Sequence, residues 1–383
     1  MKNPRLLIAA CCLLAASCSS IGTMPVQWSH FRGGPAHSAG ASFGDEIHSP
    51  ELVWSFDTGG TVESSPTVVN GTLYSGTFAD HLFALDADTG KERWRFHVDG
   101  LVRASPAVVD DVVYFGADDD RFYAVDAKDG HELWHVDLGE GGEQSSPAIV
   151  NGVCYFGAFD NKVYAVDAKG GMVLWSFDTQ GEILSSPAVE GGLVAIGSRD
   201  GNIYGLDAET GALRWEFKTE ATVWSSPAIA RGVVYCGSDD QKVYAIDAET
   251  GLERWSYATG GTVFSSPVLD VAREELYVGS DDQHVYALSL IDGSLLWRTS
   301  LGGRVLGTAA LVGEHLYVGG EGSGGDLPGA LFALDRRSGE IVWRYEVGAT
   351  VWSSPAVVGN RLWFGAHDGK LRCLQSTDET VEE

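Results

Sequence analysis

The segment Ala84-Leu85-Asp86-Ala87-Asp88-Thr89-Gly90-Lys91-Glu92-Arg93-Trp94 is the first of seven near copies of one phrase in this 383-residue chain. Successive copies lie about forty residues apart, a spacing typical of one structural unit that is stacked repeatedly. Most residues of the phrase are therefore architectural, and functional residues are to be sought where the copies differ. The copies end at Trp94, Trp134, Trp175, Trp215, Trp255, Trp297 and Trp343.

The second repeat shows what one unit contains. Four short runs, at residues 105–109, 112–116, 121–125 and 132–136, are rich in Val, Tyr, Phe and Trp and are bounded by Gly and Asp clusters. This composition is typical of strands joined by hairpins. No part of the repeats keeps the three- and four-residue apolar spacing of a helix. Four antiparallel strands in about forty residues predict one blade of a β-propeller.

Within the phrase, the third, seventh and eleventh positions have separate structural roles. An Asp at the third position can accept hydrogen bonds from the backbone of the following turn, and a Gly at the seventh can adopt a positive φ. These residues predict the hairpin between the third and fourth strands of each blade. The Trp at the eleventh position then lies on the outermost strand, where its broad ring can pack against the neighbouring blade.

The number of blades follows from the motif Ser-Ser-Pro at the start of each inner strand. The motif or a near copy occurs seven times, and residues 308–310 occupy the remaining slot. The last repeat ends before a fourth strand, whereas residues 52–56, with Trp54, match a fourth strand and precede the first inner strand. The sequence therefore predicts an all-β fold over residues 51–376, an eight-bladed propeller of four-stranded antiparallel blades closed by strand exchange between the termini. The motif prolines are Pro66, Pro106, Pro147, Pro187, Pro227, Pro267 and Pro355.

The N-terminal residues have the features of a secretory signal over positions 1–17. A positively charged start precedes an apolar stretch too short to span a bilayer. The residues before Cys18 resemble a bacterial lipobox, which implies that Cys18 is the lipidated first residue of the mature chain; a match ending at Cys11 would leave almost no apolar core. The resemblance implies an outer-membrane location facing the periplasm. Residues 18–50 are then a tether and lead-in segment, and residues 377–383 are an acidic tail.

Charge and cysteine content narrow the range of partners. The formal net charge of −27 argues against a nucleic acid or an anionic lipid surface as a partner, so the membrane is reached only through the lipid. Cys154, Cys236 and Cys373 replace apolar residues of other repeats and are predicted to be buried small hydrophobic residues. No Cys/His spacing typical of a metal site occurs.

The phrase Ala-x-Asp-x-x-Thr-Gly-x-x-x-Trp is similar to the tryptophan-docking motif of pyrroloquinoline-quinone (PQQ)-type propellers, and the resemblance covers residues 28–375. One branch of that family contains quinoprotein alcohol dehydrogenases; another contains non-catalytic propellers of the outer-membrane assembly lipoprotein BamB type. The dehydrogenases hold the quinone over a disulfide between adjacent cysteines, and the only adjacent pair here is Cys11-Cys12, within the predicted signal. They also carry long insertions that build a calcium site and a catalytic carboxylate, and these repeats have almost none. The resemblance therefore implies the BamB branch, with no catalytic residue, metal or quinone.

The loop before each inner strand has one variable position, two residues before the second Ser of the motif. The position is polar in three successive blades and apolar in the other five, and we call the five apolar residues the crescent. These loops are expected to meet around the central opening on one face, where exposed apolar side chains would form a docking patch. Alternatively, the side chains fill the channel or pack between blades. Around the ring the position is occupied by Glu63, Arg103, Gln144, Leu184, Trp224, Phe264, Leu306 and Trp352.

Blade seven carries six extra residues in the hairpin between its second and third strands. Gly319 and Ala333 are 14 positions apart, whereas Gly116 and Ala124 are 8 apart. In a propeller this hairpin emerges on the same face as the loops before the inner strands, so the insertion is predicted to lie beside Leu306. It is either an adaptable clamp at a binding face or a tolerated surface insertion. Its candidate partner-binding residues are Glu321, Asp326 and Leu327.

An Asp recurs at one position of the second-to-third-strand hairpins. Such a ring suggests cation binding, but the chemistry of type I′-like turns explains the repeat better, because each Asp lies beside Gly, Asn, Gln or another Asp. The residues are Asp119, Asp160, Asp200, Asp240, Asp282 and Asp368.

Taken together, these patterns predict a monomeric, non-catalytic propeller lipoprotein that binds proteins at the outer membrane as a scaffold, and the resemblance implies a role in outer-membrane protein assembly. Two alternatives stay open. One is a quinone-dependent dehydrogenase, and the other is a small-ligand or glycan sensor that uses Trp224 and Trp352 at the mouth of the channel.

Overall fold

A computed structural model describes residues 29–31, 34–37, 45–139, 142, 145–322 and 328–377. In these ranges, thirty-two strands form eight four-stranded antiparallel sheets, which confirms the predicted eight-bladed propeller. Within the described ranges, no helix has the length and apolar character needed to cross a membrane.

The strands are short and regular. In the first half of the chain they are β1 (Pro50–Asp57), β2 (Thr67–Val69), β3 (Thr72–Gly76), β4 (His81–Asp86), β5 (Glu92–His97), β6 (Ala107–Val109), β7 (Val112–Ala117), β8 (Arg121–Asp126), β9 (Glu132–Asp137), β10 (Ala148–Val150), β11 (Val153–Gly157), β12 (Lys162–Asp167), β13 (Val173–Asp178), β14 (Ala188–Glu190), β15 (Leu193–Gly197) and β16 (Asn202–Asp207). In the second half they are β17 (Leu213–Lys218), β18 (Ala228–Ala230), β19 (Val233–Gly237), β20 (Lys242–Asp247), β21 (Glu253–Ala258), β22 (Val268–Asp270), β23 (Glu275–Gly279), β24 (His284–Ser289), β25 (Leu295–Ser300), β26 (Ala310–Val312), β27 (His315–Gly320), β28 (Ala330–Asp335), β29 (Ile341–Glu346), β30 (Ala356–Val358), β31 (Arg361–Gly365) and β32 (Lys370–Ser376).

Each blade takes four strands in sequence order, except the last. Blade one is β2-β3-β4-β5, and the pattern repeats to blade seven, β26-β27-β28-β29. Blade eight has the order β30-β31-β32-β1, so the first strand of the chain completes the last sheet. The strand β1 pairs with β32 from Pro50 opposite Ser376 to Asp57 opposite Lys370. The predicted strand exchange between the termini therefore closes the ring.

The hydrophobic core lies between neighbouring blades. The second and third strands of a blade are buried on both faces, whereas the fourth strand alternates exposed and partly buried residues. One example is the stacking of Phe122 in blade two on Phe156 in blade three, with ring centroids 4.0 Å apart. Apolar burial between sheets, repeated eight times, is what stabilises the ring.

The tryptophan of each outer strand docks onto the next blade. The Trp94 indole N–H donates to the Ala127 carbonyl at 3.1 Å. Its ring covers Gly130, where an added Cβ would lie 2.6 Å from the ring and where φ is +74°. Glycine is needed at this position for both reasons. The donor–acceptor pairs around the ring are Trp54–Ala87, Trp94–Ala127, Trp134–Ala168, Trp175–Ala208, Trp215–Ala248, Trp255–Leu290, Trp297–Arg336 and Trp343–Ile47.

The seam between blades seven and eight is built differently, because blade eight has no copy of the repeated phrase. Here the Trp343 indole donates to the carbonyl of Ile47, which precedes β1. The Ile47 amide in turn donates to the Tyr317 hydroxyl at 2.8 Å, and the Ile47 side chain is fully buried. The residues just before β1 therefore take the place of the missing hairpin.

A second part of the lead-in segment lies inside the propeller. The inner-strand amides of Val108, Val189 and Ile229 donate to the carbonyls of residues 29, 35 and 36, respectively, at 2.8–3.0 Å. The His37 Nδ1–H donates to the carbonyl of Pro227 at 2.9 Å. Residues 29–31 and 34–37 of the predicted lead-in segment therefore lie along the inner strands of the channel. The free edges of these strands present unpaired backbone N–H groups, which donate to the carbonyls of the segment.

Candidate functional site

The second serine of each Ser-Ser-Pro motif forms a closed hydrogen-bonded ring around the channel. The backbone N–H at this position in each blade donates to the side-chain hydroxyl at the same position in the next blade, at 2.9–3.3 Å. Blade seven uses threonine with the same geometry. The ring therefore fixes the spacing of the eight inner strands. Its members are Ser65, Ser105, Ser146, Ser186, Ser226, Ser266, Thr308 and Ser354.

A cup of about 170 Å³ opens above this serine ring. The variable positions form its wall, with Phe31 of the lead-in segment also in the lining. The opposite end of the channel is lined by other residues, among them Ser29, His30 and the hairpin residue Asp110. The cup is thus a one-sided cavity. Every residue of the crescent lines it, and each is half-buried rather than fully enclosed.

Two aromatic groups dominate the wall of the cup. Trp224 and Phe264, from adjacent blades, stack with ring centroids 5.3 Å apart and planes tilted by 25°. Trp352 meets His367 edge to face at 4.6 Å. Because these rings have one face against protein and keep another part exposed, they present apolar area without filling the channel. The packing alternative considered for the crescent therefore describes only part of each side chain.

A second set of side chains, from the hairpins between the second and third strands, surrounds the same opening. We call these hairpin side chains, together with the charged residues that pair with them, the rim. Each arginine of the rim forms an ion pair with a carboxylate. Arg103 Nε lies 3.1 Å from Asp118, and Arg304 donates two bonds to Glu321 at 2.7 and 2.9 Å. Arg199 pairs with Glu182 and also lies over the Trp224 ring at 4.9 Å.

Glu321, at the start of the blade-seven insertion, connects two parts of the rim. Besides Arg304, its carboxylate accepts the indole N–H of Trp352 at 2.8 Å. The insertion therefore begins against the crescent at Trp352. Asp326 and Leu327, the other insertion residues predicted to bind a partner, lie outside the described residues, as do Gln144 of the variable ring and the predicted lipidation site Cys18.

Two neighbouring carboxylates of the rim, Asp239 and Asp281, form no ion pair with an arginine of the described chain. Burial raises the pKa of Asp239, and the nearby Asp281 and Asp240 add to this effect, although a hydrogen bond from Trp224 opposes it. Asp281 Oδ1 is buried and has no hydrogen-bond partner among the described residues. The aromatic wall at Trp224 is therefore bordered by two acids that can accept further hydrogen bonds.

The repeated hairpin aspartates are turn residues, as the sequence indicates, but the turn type was predicted wrongly. The Asp240 carboxylate accepts the Tyr244 hydroxyl at 2.6 Å, the Lys242 amide at 3.0 Å and the Glu220 amide at 3.0 Å. Only the next residue, Gln241, has a positive φ, at +73°. A type I′ turn needs two such residues, so this hairpin is a type I turn followed by one left-handed residue. None of the six aspartates is part of a three-residue metal-ligand group in the described chain.

Sequence comparison of the repeats missed the hairpin part of the rim, although a signal was present. The first residue of these hairpins varies from blade to blade as widely as the crescent position does. It is Phe78, Asp118, Phe159, Arg199, Asp239, Asp281, Glu321 and His367. The contribution of Phe31 had no comparable signal, since the lead-in segment has no second copy to compare with.

Solved structures similar to this chain include both branches of the propeller class. BamB from Moraxella catarrhalis aligns at 18% identity with a TM-score of 0.69, over 87% of this chain and 100% of that one. Quinohemoprotein alcohol dehydrogenase from Comamonas testosteroni aligns at 15% identity with a TM-score of 0.75, over 94% of this chain and 82% of that one. A europium-containing methanol dehydrogenase aligns at 12% identity with a TM-score of 0.77, over 92% of this chain and 98% of that one. At these identities the alignments show the fold and do not separate the branches.

A family model built from sequences does separate the two branches. A search of curated protein sequences gave no match. The family described as "Outer membrane protein assembly factor BamB" matches residues 47–176, 159–305 and 281–381, which together include every blade. The chain therefore belongs to the family of the outer membrane protein assembly factor BamB.

Proposed function

We propose that this protein is a non-catalytic scaffold of outer-membrane protein assembly that binds a protein partner at the mouth of its cup. The observation that carries the proposal is the half-buried aromatic wall, Trp224, Phe264 and Trp352, on a frame that is otherwise closed by repeated hydrogen bonds. Rigid aromatic side chains around a cavity are typical anchors in protein interfaces. Membership of the BamB family supports the choice of process.

The charges of the rim indicate the chemistry of the partner. The rim arginines are already paired with carboxylates, whereas Asp239 and Asp281 keep acceptor capacity beside the aromatic wall. A partner segment with an apolar side chain and a neighbouring Lys, Arg or backbone N–H would satisfy both features. The net charge of −27 favours approach by such a segment.

The position of the lead-in segment supports an orientation for the cup. Ser29 lies at the end of the channel opposite the mouth. The predicted lipid anchor, Cys18, is 11 positions earlier, a length of chain that reaches roughly 36–40 Å when extended. With the anchor at the end of the channel opposite the mouth, the mouth would face away from the outer membrane into the periplasm.

The residues of the cup do not suit PQQ, the cofactor of the dehydrogenase branch. The quinone carries several carboxylates, and the available cations of the rim, Arg103, Arg199 and Arg304, are each paired with a protein carboxylate. Asp239 and Asp281 would repel such a ligand. The described cysteines, Cys154, Cys236 and Cys373, are buried in three separate blades and form no disulfide, and none of them lines the cup. We therefore assign no quinone to this protein.

The test is crosslinking in intact cells, followed by identification of the captured proteins by mass spectrometry. The wild type is compared with a Trp224→Ala/Phe264→Ala/Trp352→Ala variant. A matched control removes three exposed apolar side chains from the outer side of the ring, Leu174→Ala/Leu213→Ala/Leu252→Ala. We expect the wild type and the control to capture outer-membrane assembly components, and the mouth variant to lose at least about tenfold of that capture, as for loss of interface anchors.

Two outcomes would contradict parts of this proposal. Equal capture by the mouth variant would keep the scaffold but remove the cup from the interface. Capture of no assembly component by the wild type would remove the scaffold, and quenching of tryptophan fluorescence by glycans or small ligands, lost in Trp224→Ala, would then support the sensor alternative. Thermal unfolding of all three proteins controls for loss of fold.

A further inference from the structure

Three side chains with metal-ligand chemistry meet at the seam between blades seven and eight. Glu46 and His48 belong to the segment before β1, and His315 begins β27 of blade seven. One ligand atom of each lies within 4.8 Å of the others. We propose that these residues bind a divalent transition-metal ion, with zinc as the preferred ion, and that the ion clamps the segment before β1 to blade seven. The inference does not depend on the proposed function.

The carboxylate of Glu46 is already positioned for this role. Its Oε1 accepts the backbone N–H of Glu314 at 2.7 Å, which fixes the carboxylate against the hairpin before β27. Its Oε2 lies 3.4 Å from His48 Nε2. Two ligands bonded to a tetrahedral zinc ion at about 2.0–2.1 Å are separated by about 3.4 Å, so this pair needs almost no rearrangement.

The imidazole of His315 is the buried member of the site. Its Nδ1 lies 3.4 Å from the Tyr317 hydroxyl, which leaves Nε2 available for a metal. An outer partner on the second ring nitrogen is typical of metal-binding histidines. The ring is 5.1 Å from that of His48, with the two planes at 81°.

The ligand set selects the type of ion. Two imidazoles and one carboxylate suit zinc and its neighbours in the transition series, whereas calcium and magnesium prefer oxygen ligands. Nearby acids are engaged elsewhere: Glu314 is held by Arg336 at 2.7 Å and Arg337 at 2.6 Å. The protein therefore supplies three ligands, and water occupies the fourth position. His48 is half-exposed, which gives the ion a path from solvent.

The location of the site gives the ion a structural consequence. At the other seven seams the outer tryptophan docks on a hairpin of the next blade, which is covalently continuous with that blade's sheet. At this seam Trp343 docks on Ile47, one residue from each metal ligand of the lead-in segment. A bound ion would add three bonds where the ring closes and would oppose opening of β1 from β32.

The chain offers a matched control in a second group of similar residues. Asp126, Asp129 and His131 also lie close enough to share an ion. However, they come from one hairpin, supply one imidazole rather than two, and His131 is exposed. Loss of His131 should therefore leave zinc binding at the seam unchanged.

The experiment titrates zinc chloride into the full chain, purified without a histidine tag, by isothermal calorimetry, and follows the thermal midpoint. The variants are His48→Ala, chosen because His48 is half-exposed and its loss leaves the core intact, and His131→Ala as the control. We expect zinc to bind one site in the wild type and to raise the midpoint. We expect His48→Ala to weaken binding at least about tenfold, since even outer partners of metal ligands cost that much, and His131→Ala to behave as the wild type.

A second readout reports the ligand set directly. Cobalt in a four-coordinate site with nitrogen and oxygen ligands absorbs visible light far more strongly than the hydrated ion, and this absorption should be present in the wild type and in His131→Ala but absent in His48→Ala. Equal zinc affinity in wild type and His48→Ala, or a response to calcium equal to that to zinc, would overturn the proposal. Failure of all three proteins to bind zinc would reduce the cluster to an ion pair between Glu46 and His48.

Discussion

The serine ring and the variable ring lie two residues apart in every blade, yet they behave as different kinds of structure. In blade five, Ser226 is buried and its N–H donates to the Ser266 hydroxyl at 2.9 Å. Trp224, on the same loop, is half-buried and touches Phe264 and Arg199 at the mouth. The difference teaches that repetition marks the positions that set the spacing between blades. Variation marks the positions that face the cup, where the frame imposes no residue.

The largest expected difference is in the free energy of unfolding, between alanine variants of two tryptophans that lie nine positions apart. Trp215 is buried, donates to the Ala248 carbonyl at 2.9 Å and covers Gly251 of the next blade. Trp215→Ala is expected to lower the free energy of unfolding by about 3–5 kcal/mol, as for other buried aromatic residues. Trp224→Ala should cost only about 1 kcal/mol, a typical value for a point substitution. Urea denaturation followed by far-ultraviolet circular dichroism measures both.

The outcome also tests the division between frame and mouth. If Trp224→Ala destabilised the protein as much as Trp215→Ala, the crescent would be part of the core, and the docking patch would lose its physical basis. Two-state behaviour is checked by comparing circular dichroism with tryptophan fluorescence, since a ring of blades can unfold in stages.

The sequence was sufficient for the frame because every structural element of the frame is repeated. Seven copies of Ser-Ser-Pro or a near variant and seven of the tryptophan phrase placed the blades, the hairpins and the strand exchange correctly, since each copy shows which positions tolerate change. The crescent was located on the same grounds. Its half-buried state was not predictable, because exposure depends on how far the rings tilt against neighbours such as His367 and Arg199.

Non-repeated parts were predicted poorly for the opposite reason. Nothing in the sequence distinguished Ile47, which replaces a missing hairpin, from the rest of the tether. Nothing showed that Phe31 would line the cup or that Glu46 and His48 would meet His315 of blade seven, which lies 269 and 267 positions later in the chain. Contacts of this kind are set by chain topology, and a single occurrence leaves no pattern that can be compared.

A smaller effect is expected within the serine ring itself. Ser226→Ala removes the acceptor of the Ser186 N–H, which donates to Ser226 Oγ at 2.9 Å. A buried N–H left without a partner costs about 1–3 kcal/mol, so the free energy of unfolding should fall by that amount. Urea denaturation is again the measurement.

The chain contains its own control for this change. Thr308 takes the serine position in blade seven and accepts from the Ser266 N–H at 3.3 Å. Ser226→Thr should therefore retain most of the stability that Ser226→Ala loses. Equal losses for the two variants would indicate that the hydroxyl bond is not what the ring contributes, and that close packing at this position decides the effect instead.

The smallest expected effect is the change in thermal midpoint when an aspartate is replaced by asparagine. Its sign should differ between an acid of the frame and an acid of the mouth. Asp207, at the third position of the repeated phrase, has its pKa lowered to about 2, first by the hydrogen bond from Arg214 and then by Thr210. Its ionised form therefore stabilises the folded state at neutral pH, and this contribution is lost as the pH falls from about 3.9, the ordinary aspartate value, through 2. Asp207→Asn should lower the thermal midpoint at pH 7, with a difference from wild type that shrinks in acid.

Asp239 at the mouth should behave in the opposite way. Because burial raises its pKa, the ionised carboxylate opposes folding at neutral pH, and the penalty disappears as the pH falls below the ordinary aspartate value of about 3.9. Asp239→Asn should therefore raise the midpoint at pH 7 and match the wild type in acid. A fall in midpoint for both variants would mean that the mouth acid serves the frame. Opposite signs would mean that Asp239 is retained at a cost in stability, as expected of a residue that faces a partner rather than its own fold.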